Sequence, residues 1–327
     1  MNHLERILAC INGSQVDRPP LVLWRHFPVA DQDPADLVKA TLDFQNRFDF
    51  DLIKVSPSSS YCLVDWNVND EWRGNPEGTR DYVKYPITVP ENWLSLKTLD
   101  PNNGFLAKTI DAVKLIQKQK EKNTPVIQTI FSPLSQAKNL IGKDNLAYHL
   151  RKFPDALITG LETITTSILD YLSVLQSLRV DGIYYAVQHA QYSLLSDSEF
   201  EQFCRRFDLR ILDACRDFSI RVLHIHGNNI MLENVKDYPV NLINWHDRES
   251  EFSLQRGKQI TNSAVCGGIG QKSITLGNPD QVIAEVVTTW EESDKNRTCI
   301  GTGCVIPVIT PEVNIYAARK AVESLIL

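Results

Sequence analysis

Two histidines separated by one residue are the first candidates for chemistry in this chain. They lie in Arg221-Val-Leu-His224-Ile-His226-Gly-Asn228, a pattern typical of a short apolar strand that ends in polar residues and a glycine. Side chains alternate between the two faces of a strand, so His224 and His226 point the same way. Two imidazoles on one face can bind a single metal ion, whereas two ordinary polar residues at a strand end are the competing interpretation.

A cysteine far downstream offers a third ligand. Cys304 ends the segment Cys299-Ile-Gly-Thr-Gly-Cys304. Two imidazole nitrogens and one thiolate leave a zinc ion one open position, which is the arrangement of a catalytic site. The sequence therefore predicts a catalytic zinc (Zn²⁺) site at His224, His226 and Cys304.

Length and composition narrow the class of protein. The chain has 327 residues, of which 43% are hydrophobic, and this is enough for one large core. Its formal net charge is −6 and no basic stripe is present, so we expect no nucleic-acid partner. We expect no membrane association either, because no apolar run approaches the roughly 20 residues of a span and no signal-peptide core is present. The seven scattered cysteines, without a Cys-x-x-Cys pair, fit reduced thiols in a cytoplasmic protein.

Strand and helix patterns alternate along the chain. The predicted strands are Leu21–Phe27, Asp51–Pro57, Pro125–Phe131, Asp181–Gln188, Arg221–Gly227, Asn241–Asp247, Ala264–Gly268 and Thr298–Cys304. Nearly every strand is followed by a helical pattern, which favours parallel pairing and an α/β fold. Eight such units predict a single (β/α)8 (TIM) barrel domain over residues 1–327. A doubly wound open sheet is the alternative, but no Gly-x-Gly-x-x-Gly follows the first strand.

The segment from Ser58 to Pro101 interrupts this alternation. It is rich in Trp, Tyr, Asp and Gly and shows no clear helical period. Loops of this length are uncommon unless they are functional. We therefore interpret it as an elaborated active-site loop at the carboxyl-terminal mouth of the barrel, with a small hairpin.

Polar side chains gather where the predicted strands end, which is where barrels of this type place their chemistry. Most of the seven histidines lie within a residue or two of these ends. The predicted substrate-binding residues are Arg25, His26, Gln188, His189, His246 and Asp247. We expect Arg25 to point into the mouth and bind an anionic group, and Asp247 to orient a ligand imidazole or bind a cationic group. A hydrogen-bonded rim residue without a catalytic role is the alternative for His26, His189 and His246.

Three stretches carry a family resemblance. They are Arg18–Arg25, Asp181–Phe203 and Gly301-Thr-Gly-Cys304-Val-Ile-Pro307-Val-Ile-Thr310-Pro311-Glu312, the last being the most specific. With these stretches the chain resembles the uroporphyrinogen decarboxylase superfamily over nearly its whole length, and more closely its methyltransferase branch, the methylcobamide:coenzyme M methyltransferases. The decarboxylases carry a histidine where Cys304 stands, a second arginine near Pro28 and an aspartate near Pro57. These departures speak against porphyrinogen decarboxylation.

The methyltransferase branch implies a zinc site and a reaction. That branch carries zinc on a His-x-Cys pair and a C-terminal cysteine, which His224 and Cys304 match, while His226 replaces the first cysteine. One thiolate fewer makes the ion a stronger Lewis acid. The resemblance implies methyl transfer between a methylated corrinoid and a zinc-activated thiol or another small methyl donor or acceptor. Because the chain has no Asp-x-His-x-x-Gly corrinoid motif, we expect a separate corrinoid protein to bring methylcobalamin.

Three other functions stay open from the sequence. A decarboxylase or lyase of the same superfamily would act on a different, smaller substrate without a metal. A metal-dependent hydrolase would also use a His-x-His pair, although in amidohydrolases the pair lies on the first strand and here it lies on the fifth. A non-catalytic tetrapyrrole-binding protein would bind a corrinoid without turnover.

Overall fold

The structure, a computed structural model, describes residues 1–325, so the last two residues of the predicted domain lie outside the described part. Its strands are β1 (Ile53–Val55), β2 (Asn69–Glu71), β3 (Asp81–Lys84), β4 (Val126–Phe131), β5 (Gly182–Val187), β6 (Ile220–Ile225), β7 (Leu242–Trp245), β8 (Ala264–Ile269) and β9 (Thr298–Thr302). A seven-stranded sheet forms the centre, in the order β1-β4-β5-β6-β7-β8-β9. All its neighbouring strands are parallel, and β2 and β3 form a separate antiparallel pair.

Helices follow most of the sheet strands. They are α1 (His3–Asn12), α2 (Pro34–Phe48), α3 (Glu91–Ser95), α4 (Gly104–Gln119), α5 (Pro133–Ile141), α6 (Lys143–Lys152), α7 (Pro154–Ser177), α8 (Asp197–Phe200), α9 (Arg206–Ala214), α10 (Leu254–Thr261), α11 (Gln271–Leu276), α12 (Pro279–Glu292) and α13 (Glu312–Ser324). Local sequence sets several of their starts. Ser132 accepts a hydrogen bond from Ser135 N at the start of α5, and Asn278 forms a capping box with Gln281 at the start of α12.

The fold is mixed α/β, and seven of the predicted strands correspond to β1 and β4–β9. Parallel strands that are covered on both faces are expected to be apolar throughout, and β4, β5 and β8 are almost entirely buried. No helix among residues 1–325 is both long and apolar enough to cross a bilayer.

The prediction of a regular first strand at Leu21–Phe27 is wrong. Leu21 makes only an isolated parallel bridge to Ile300 of β9. Proline precedes this segment at positions 19 and 20, and proline cannot donate to a ladder. Farther along, Trp24 O accepts from Ile306 N, which lies beyond the end of β9. Residues 1–325 therefore do not form a closed ring of eight regular strands.

The predicted hairpin in the long segment is confirmed as β2 and β3. Hydrogen bonds and ion pairs of aspartate side chains fasten the segment to the body of the protein. Asp65 accepts from Phe105 N at 2.9 Å and from Leu106 N at 3.3 Å, and so caps the start of α4. Arg80, just before β3, pairs with Asp70 in the middle of β2 and with Asp31. These contacts hold the hairpin over the carboxyl ends of the sheet strands.

Candidate metal centre

Four possible metal donors meet at the carboxyl ends of β6, β7 and β9. His224 Nε2 lies 3.8 Å from Cys304 Sγ, and His226 Nδ1 lies 3.9 Å from the same sulfur. His246 Nε2 lies 3.4 Å from His226 Nδ1. One donor atom from each of these four residues, the four-donor cluster, lies within 4.8 Å of every other.

The separations suit one ion in a tetrahedral site. Zinc bond lengths to nitrogen and sulfur place neighbouring ligand atoms roughly 3.3–3.6 Å apart. The separations of 3.8 Å and 3.9 Å to Cys304 are only slightly longer, and the 3.4 Å between His246 and His226 already matches. The structure thus brings together the three predicted ligands, and small side-chain movements would let them share one ion.

His246 joins the predicted ligands although the sequence suggested substrate binding for it. The reason is the register of the sheet, in which Ile225 of β6 pairs with Trp245 of β7. The residues that follow this pair, His226 and His246, therefore stand at the same level on adjacent strands. In the sequence, a histidine at the end of the neighbouring predicted strand could have suggested a fourth metal donor. Only the register of β6 and β7 shows that this histidine lies beside His226.

Gly303 allows Cys304 to reach the cluster. A side-chain carbon at position 303 would lie 2.6 Å from His246 Cα and 2.6 Å from Trp245 O, both backbone atoms that cannot swing away. The chain that leaves β9 thus crosses directly against the end of β7, which a residue without a side chain permits. The glycines of the Gly301-Thr-Gly-Cys304 motif therefore serve the position of the thiol.

Burial has opposite effects on the two kinds of donor. It lowers the pKa of His224 well below its ordinary value and that of His226 to about 4, with help from nearby positive groups. Both rings are therefore neutral near pH 7 and have a lone pair to give. Burial raises the pKa of the Cys304 thiol to about 12, so Cys304 keeps its proton until a cation replaces it.

A cavity of about 270 Å³ opens beside the cluster. Three of the four donors line it, His224, His226 and Cys304, and so do the predicted substrate-binding residues His26 and Gln188. The long segment contributes Ser59, Glu77, Thr79, Arg80 and Tyr82. This confirms the predicted place of that segment at the mouth and makes the cavity a site where a small molecule would meet the donors.

Residues 2–325 match the uroporphyrinogen decarboxylase (URO-D) family. The chain belongs to the URO-D family. It is 22% identical to the methylcobamide:CoM methyltransferase MtaA of Methanosarcina barkeri, with 97% of this chain and 96% of that protein covered. It is 23% identical to the methylcobamide:CoM methyltransferase MtbA of Methanosarcina acetivorans, over 74% of this chain and 69% of that one.

Solved structures agree on the fold. A methyltransferase from Methanosarcina mazei superposes with a TM-score of 0.87 at 18% identity and covers 99% of both chains. A B12-independent methionine synthase from Shewanella sp. W3-18-1 superposes with a TM-score of 0.62 at 12% identity, over 97% of this chain and 98% of that chain. The family resemblance predicted from the sequence is confirmed, and the relatives named above support the prediction of a methyltransferase enzyme.

In this URO-D family member the cavity also holds a lysine that the sequence analysis missed. Lys54 of β1 is 7% exposed, and its Nζ donates to Ser56 Oγ at 2.9 Å. Its Nζ also lies 4.5 Å from the ring centroid of Tyr184, and burial lowers its pKa to about 7. Among the described residues no carboxylate lies within ion-pairing distance of it. A lysine within an otherwise apolar strand was the available signal, since an inward-facing cation is costly to bury without a purpose.

The prediction that Arg25 points into the mouth of this URO-D fold is wrong. Its guanidinium lies 5.3 Å from the ring centroids of Phe27 and of Phe44 in α2. Successive side chains of an extended segment point to opposite faces, and here Trp24 and His26 point inward while Arg25 points outward. His26 accordingly lines the cavity. Arg25 therefore packs against a helix and does not face the four-donor cluster.

Asp247 and His189 lie beside the cavity and not within it. Asp247 accepts from Gly268 N at 3.1 Å and lines a separate cavity with Arg248, so the prediction that it orients a ligand imidazole is wrong. The backbone turns directly after His246, and this turn sends the carboxylate outward. His189 lines a neighbouring cavity of about 570 Å³ that shares Gln188 and His226 with the first.

Proposed function

We propose that this URO-D family member is a zinc-dependent methyltransferase that moves a methyl group between a methylated corrinoid and a thiol or other small methyl donor or acceptor. The observation that carries the proposal is the convergence of the four-donor cluster beside a cavity. Relatives that are named methylcobamide:CoM methyltransferases, one of them spanning nearly the whole chain, support the choice of reaction.

The cluster residues would hold the ion in unequal ways. His224 is buried, His226 is partly buried and both are neutral near pH 7, so they offer nitrogen lone pairs without losing a proton. Cys304 gives up its proton on binding and supplies the one negative charge. His246 lies outside the three ligands that the sequence predicts, and it is the donor that we assign to the position that a substrate takes. A zinc ion held in this way supplies Lewis acidity that lowers the pKa of a thiol in that position.

The cavity residues would bind and orient the substrate. Lys54 lines the cavity, and an anionic part of a thiol substrate would pair with its amino group and favour the ammonium form. His26 and Gln188 add polar contacts on the wall, and Gln188 Oε1 already accepts from Lys138 Nζ at 2.7 Å. The hairpin closes the outer side and limits the access of water to the reacting atoms.

We also infer that residues 20–24 complete a closed barrel, so that the chain forms one domain. Ile300 N donates to Pro20 O and Val22 N donates to Ile300 O, both at 2.8 Å, which joins the segment to β9. Asp51 N donates to Leu21 O at 2.9 Å, which joins it to the residues just before β1. The segment therefore bonds to both edges of the seven-stranded sheet.

Methyl transfer from free methylcobalamin to thiols tests the proposed function. We expect the zinc-loaded protein to consume methylcobalamin, followed by absorbance, faster with a thiol that carries an acidic group than with a neutral thiol of equal length. A corrinoid protein, expected as a partner, would raise the rate further. A protein that binds stoichiometric zinc but neither forms nor consumes methylcobalamin with any thiol or methyl thioether would contradict the proposal and favour a lyase or hydrolase.

A further inference from the structure

Asn244 connects the four-donor cluster to the surrounding strands. It lies on β7 and is fully buried. Its Nδ2 is 3.0 Å from Cys266 O on β8 and 3.0 Å from Thr302 O on β9. Its Oδ1 is 2.8 Å from His224 Nδ1 on β6 and 3.0 Å from the hydroxyl of Tyr184 on β5. One amide therefore bonds to all four of these neighbouring strands.

The orientation of this amide follows from the partners. Backbone carbonyls only accept hydrogen bonds, so the two that face Cys266 and Thr302 require the NH₂ group of Asn244. Turning the amide over would place its oxygen against two carbonyl oxygens and lose both bonds. The oxygen of Asn244 therefore faces His224, and the Tyr184 hydroxyl donates to it as well.

The tautomer of His224 follows in turn. An amide oxygen only accepts, so the Nδ1 that lies 2.8 Å from it must carry the proton. In a neutral ring the other nitrogen, Nε2, then holds the lone pair. That nitrogen is the one that lies 3.8 Å from Cys304 Sγ, on the side of the cluster. The ring is also stacked on Tyr184, with centroids 5.3 Å apart and planes at 22°.

We propose that Asn244 is a positioning residue of the metal centre, which fixes His224 in its Nδ1–H tautomer with the Nε2 lone pair aimed at the ion site before an ion arrives. The inference rests on the proposed function, because it takes the cluster to be a metal site. A partner that holds a ligand imidazole in this way typically changes metal affinity by about 10–100-fold. Glutamine or aspartate at this position would not reproduce all four hydrogen bonds in the same space.

The tautomer of His224 in the metal-free protein is the direct test, and it needs no change at Asn244. In protein labelled with ¹⁵N-histidine, the ring nitrogens of His224 are assigned by the loss of their signals in His224→Gln. We expect a protonated Nδ1 and an unprotonated Nε2 near pH 7. A protonated Nε2 would overturn the proposal even if zinc binds tightly.

Cobalt(II) titrations of three variants separate positioning from structural support. Asn244→Leu removes the acceptor and is expected to weaken cobalt binding about 10–100-fold. Asn244→Asp keeps an acceptor toward Nδ1 but loses both donated bonds, so it should unfold at a lower temperature while it binds cobalt at least as tightly as the wild type. Tyr184→Phe is the matched control, because it removes the other hydrogen bond to the same oxygen and keeps the stacked ring, and it should leave the tautomer unchanged.

The outcomes distinguish this inference from the proposed function. A folded Asn244→Leu protein that binds cobalt as tightly as wild type would overturn the inference, and so would equal weakening in the Leu and Asp variants. If Asn244→Leu does not fold, the ¹⁵N signals of the wild type and the cobalt affinity of Asn244→Asp still test whether Asn244 positions His224. A wild-type protein that binds no cobalt would contradict the proposed metal-dependent function. The ¹⁵N signals would still show whether His224 has the tautomer that Asn244 is expected to fix.

Discussion

At the residue scale, burial makes Cys304 the donor that links metal binding to pH. The imidazole of His226 is protonated only below about pH 4, because burial lowers its pKa. The thiol of Cys304 stays protonated up to about pH 12, because burial raises its pKa. Among the four donors of the cluster, therefore, only the thiol has a proton to lose when an ion binds in the neutral range.

Zinc affinity should consequently rise with pH. One proton released per ion makes the apparent affinity increase about tenfold per pH unit between about pH 6 and pH 8. Titration calorimetry in two buffers of different ionisation enthalpy counts that proton. Cys304→Ser is expected to lose most of both the affinity and its pH dependence. A zinc affinity that does not change with pH would show that Cys304 is not a ligand.

The structure transfers the expected anion contact from Arg25 to Lys54. Lys54→Met should raise KM for a thiol that carries a carboxylate or sulfonate by about tenfold or more, because a hydrogen bond to a charged group is lost. KM for a neutral thiol of the same length should change little. Arg25→Ala is the matched variant, and we expect it to lower stability through lost packing on Phe27 and Phe44 while KM stays near the wild-type value.

Equal effects of the two variants on KM would contradict this assignment.

The alternation of side chains along a strand gave the direction of His224 and His226 from the sequence, because His224 lies on a well-defined strand and His226 directly follows it. The same reasoning failed for Arg25, since the phase of a short segment next to prolines cannot be read from its residues. Asn244 escaped notice because its partners lie on strands that only the register brings close. Lys54 was missed although a charged residue within an apolar strand was visible in the sequence.

At the element scale, the crossing of the β9 end over the β7 end sets the position of the thiol. Gly303→Ala should push Cys304 away from the histidines, because the added carbon would meet backbone atoms of Trp245 and His246 at 2.6 Å. We expect zinc affinity to fall about 10-fold or more, as for other changes that displace a ligand. Competition with a chromogenic chelator measures the affinity. An unchanged zinc affinity in a folded Gly303→Ala protein would contradict this role.

The segment that replaces the first strand depends on a buried carboxylate. Asp51 is completely buried and accepts from Arg6 Nη1 at 2.6 Å, from Arg18 Nη1 at 2.7 Å and from Leu21 N at 2.8 Å. Its hydrogen bond with His3 Nδ1, together with Arg18 and the Leu21 N–H, holds the pKa of Asp51 well below its ordinary value against the effect of burial. Asp51 therefore fastens α1 and the start of the segment to the residues just before β1.

Loss of this charge should destabilise the protein severely. Asp51→Asn leaves Arg18 without its anion and Arg6 with only its pair to Asp17. Removal of one partner from a buried pair costs about 3–5 kcal/mol of unfolding free energy. Urea unfolding measures the loss. Asp43→Asn, which removes an exposed pair with Lys39, is the control and should change stability little. An Asp51→Asn protein as stable as this control would show that the segment is held by other contacts.

At the scale of the whole molecule, the parallel sheet explains how distant residues form one site. His224 and Cys304 are 80 positions apart in the chain, yet their donor atoms approach to 3.8 Å because the carboxyl ends of parallel strands share one rim. The sequence predicted this meeting from the repeated strand and helix patterns, including seven strands of the sheet and the hairpin at the mouth. It did not predict how the sheet is completed near Leu21, because that depends on single hydrogen bonds from Ile300 and Asp51.

The metal content of the purified protein tests the central claim most directly. Elemental analysis should find one zinc ion per chain in the wild type. The double variant His224→Ala, Cys304→Ser should retain far less, with an unchanged circular dichroism spectrum, because two rim residues contribute little to the core. Equal, stoichiometric zinc in both proteins would place the ion elsewhere and contradict the account.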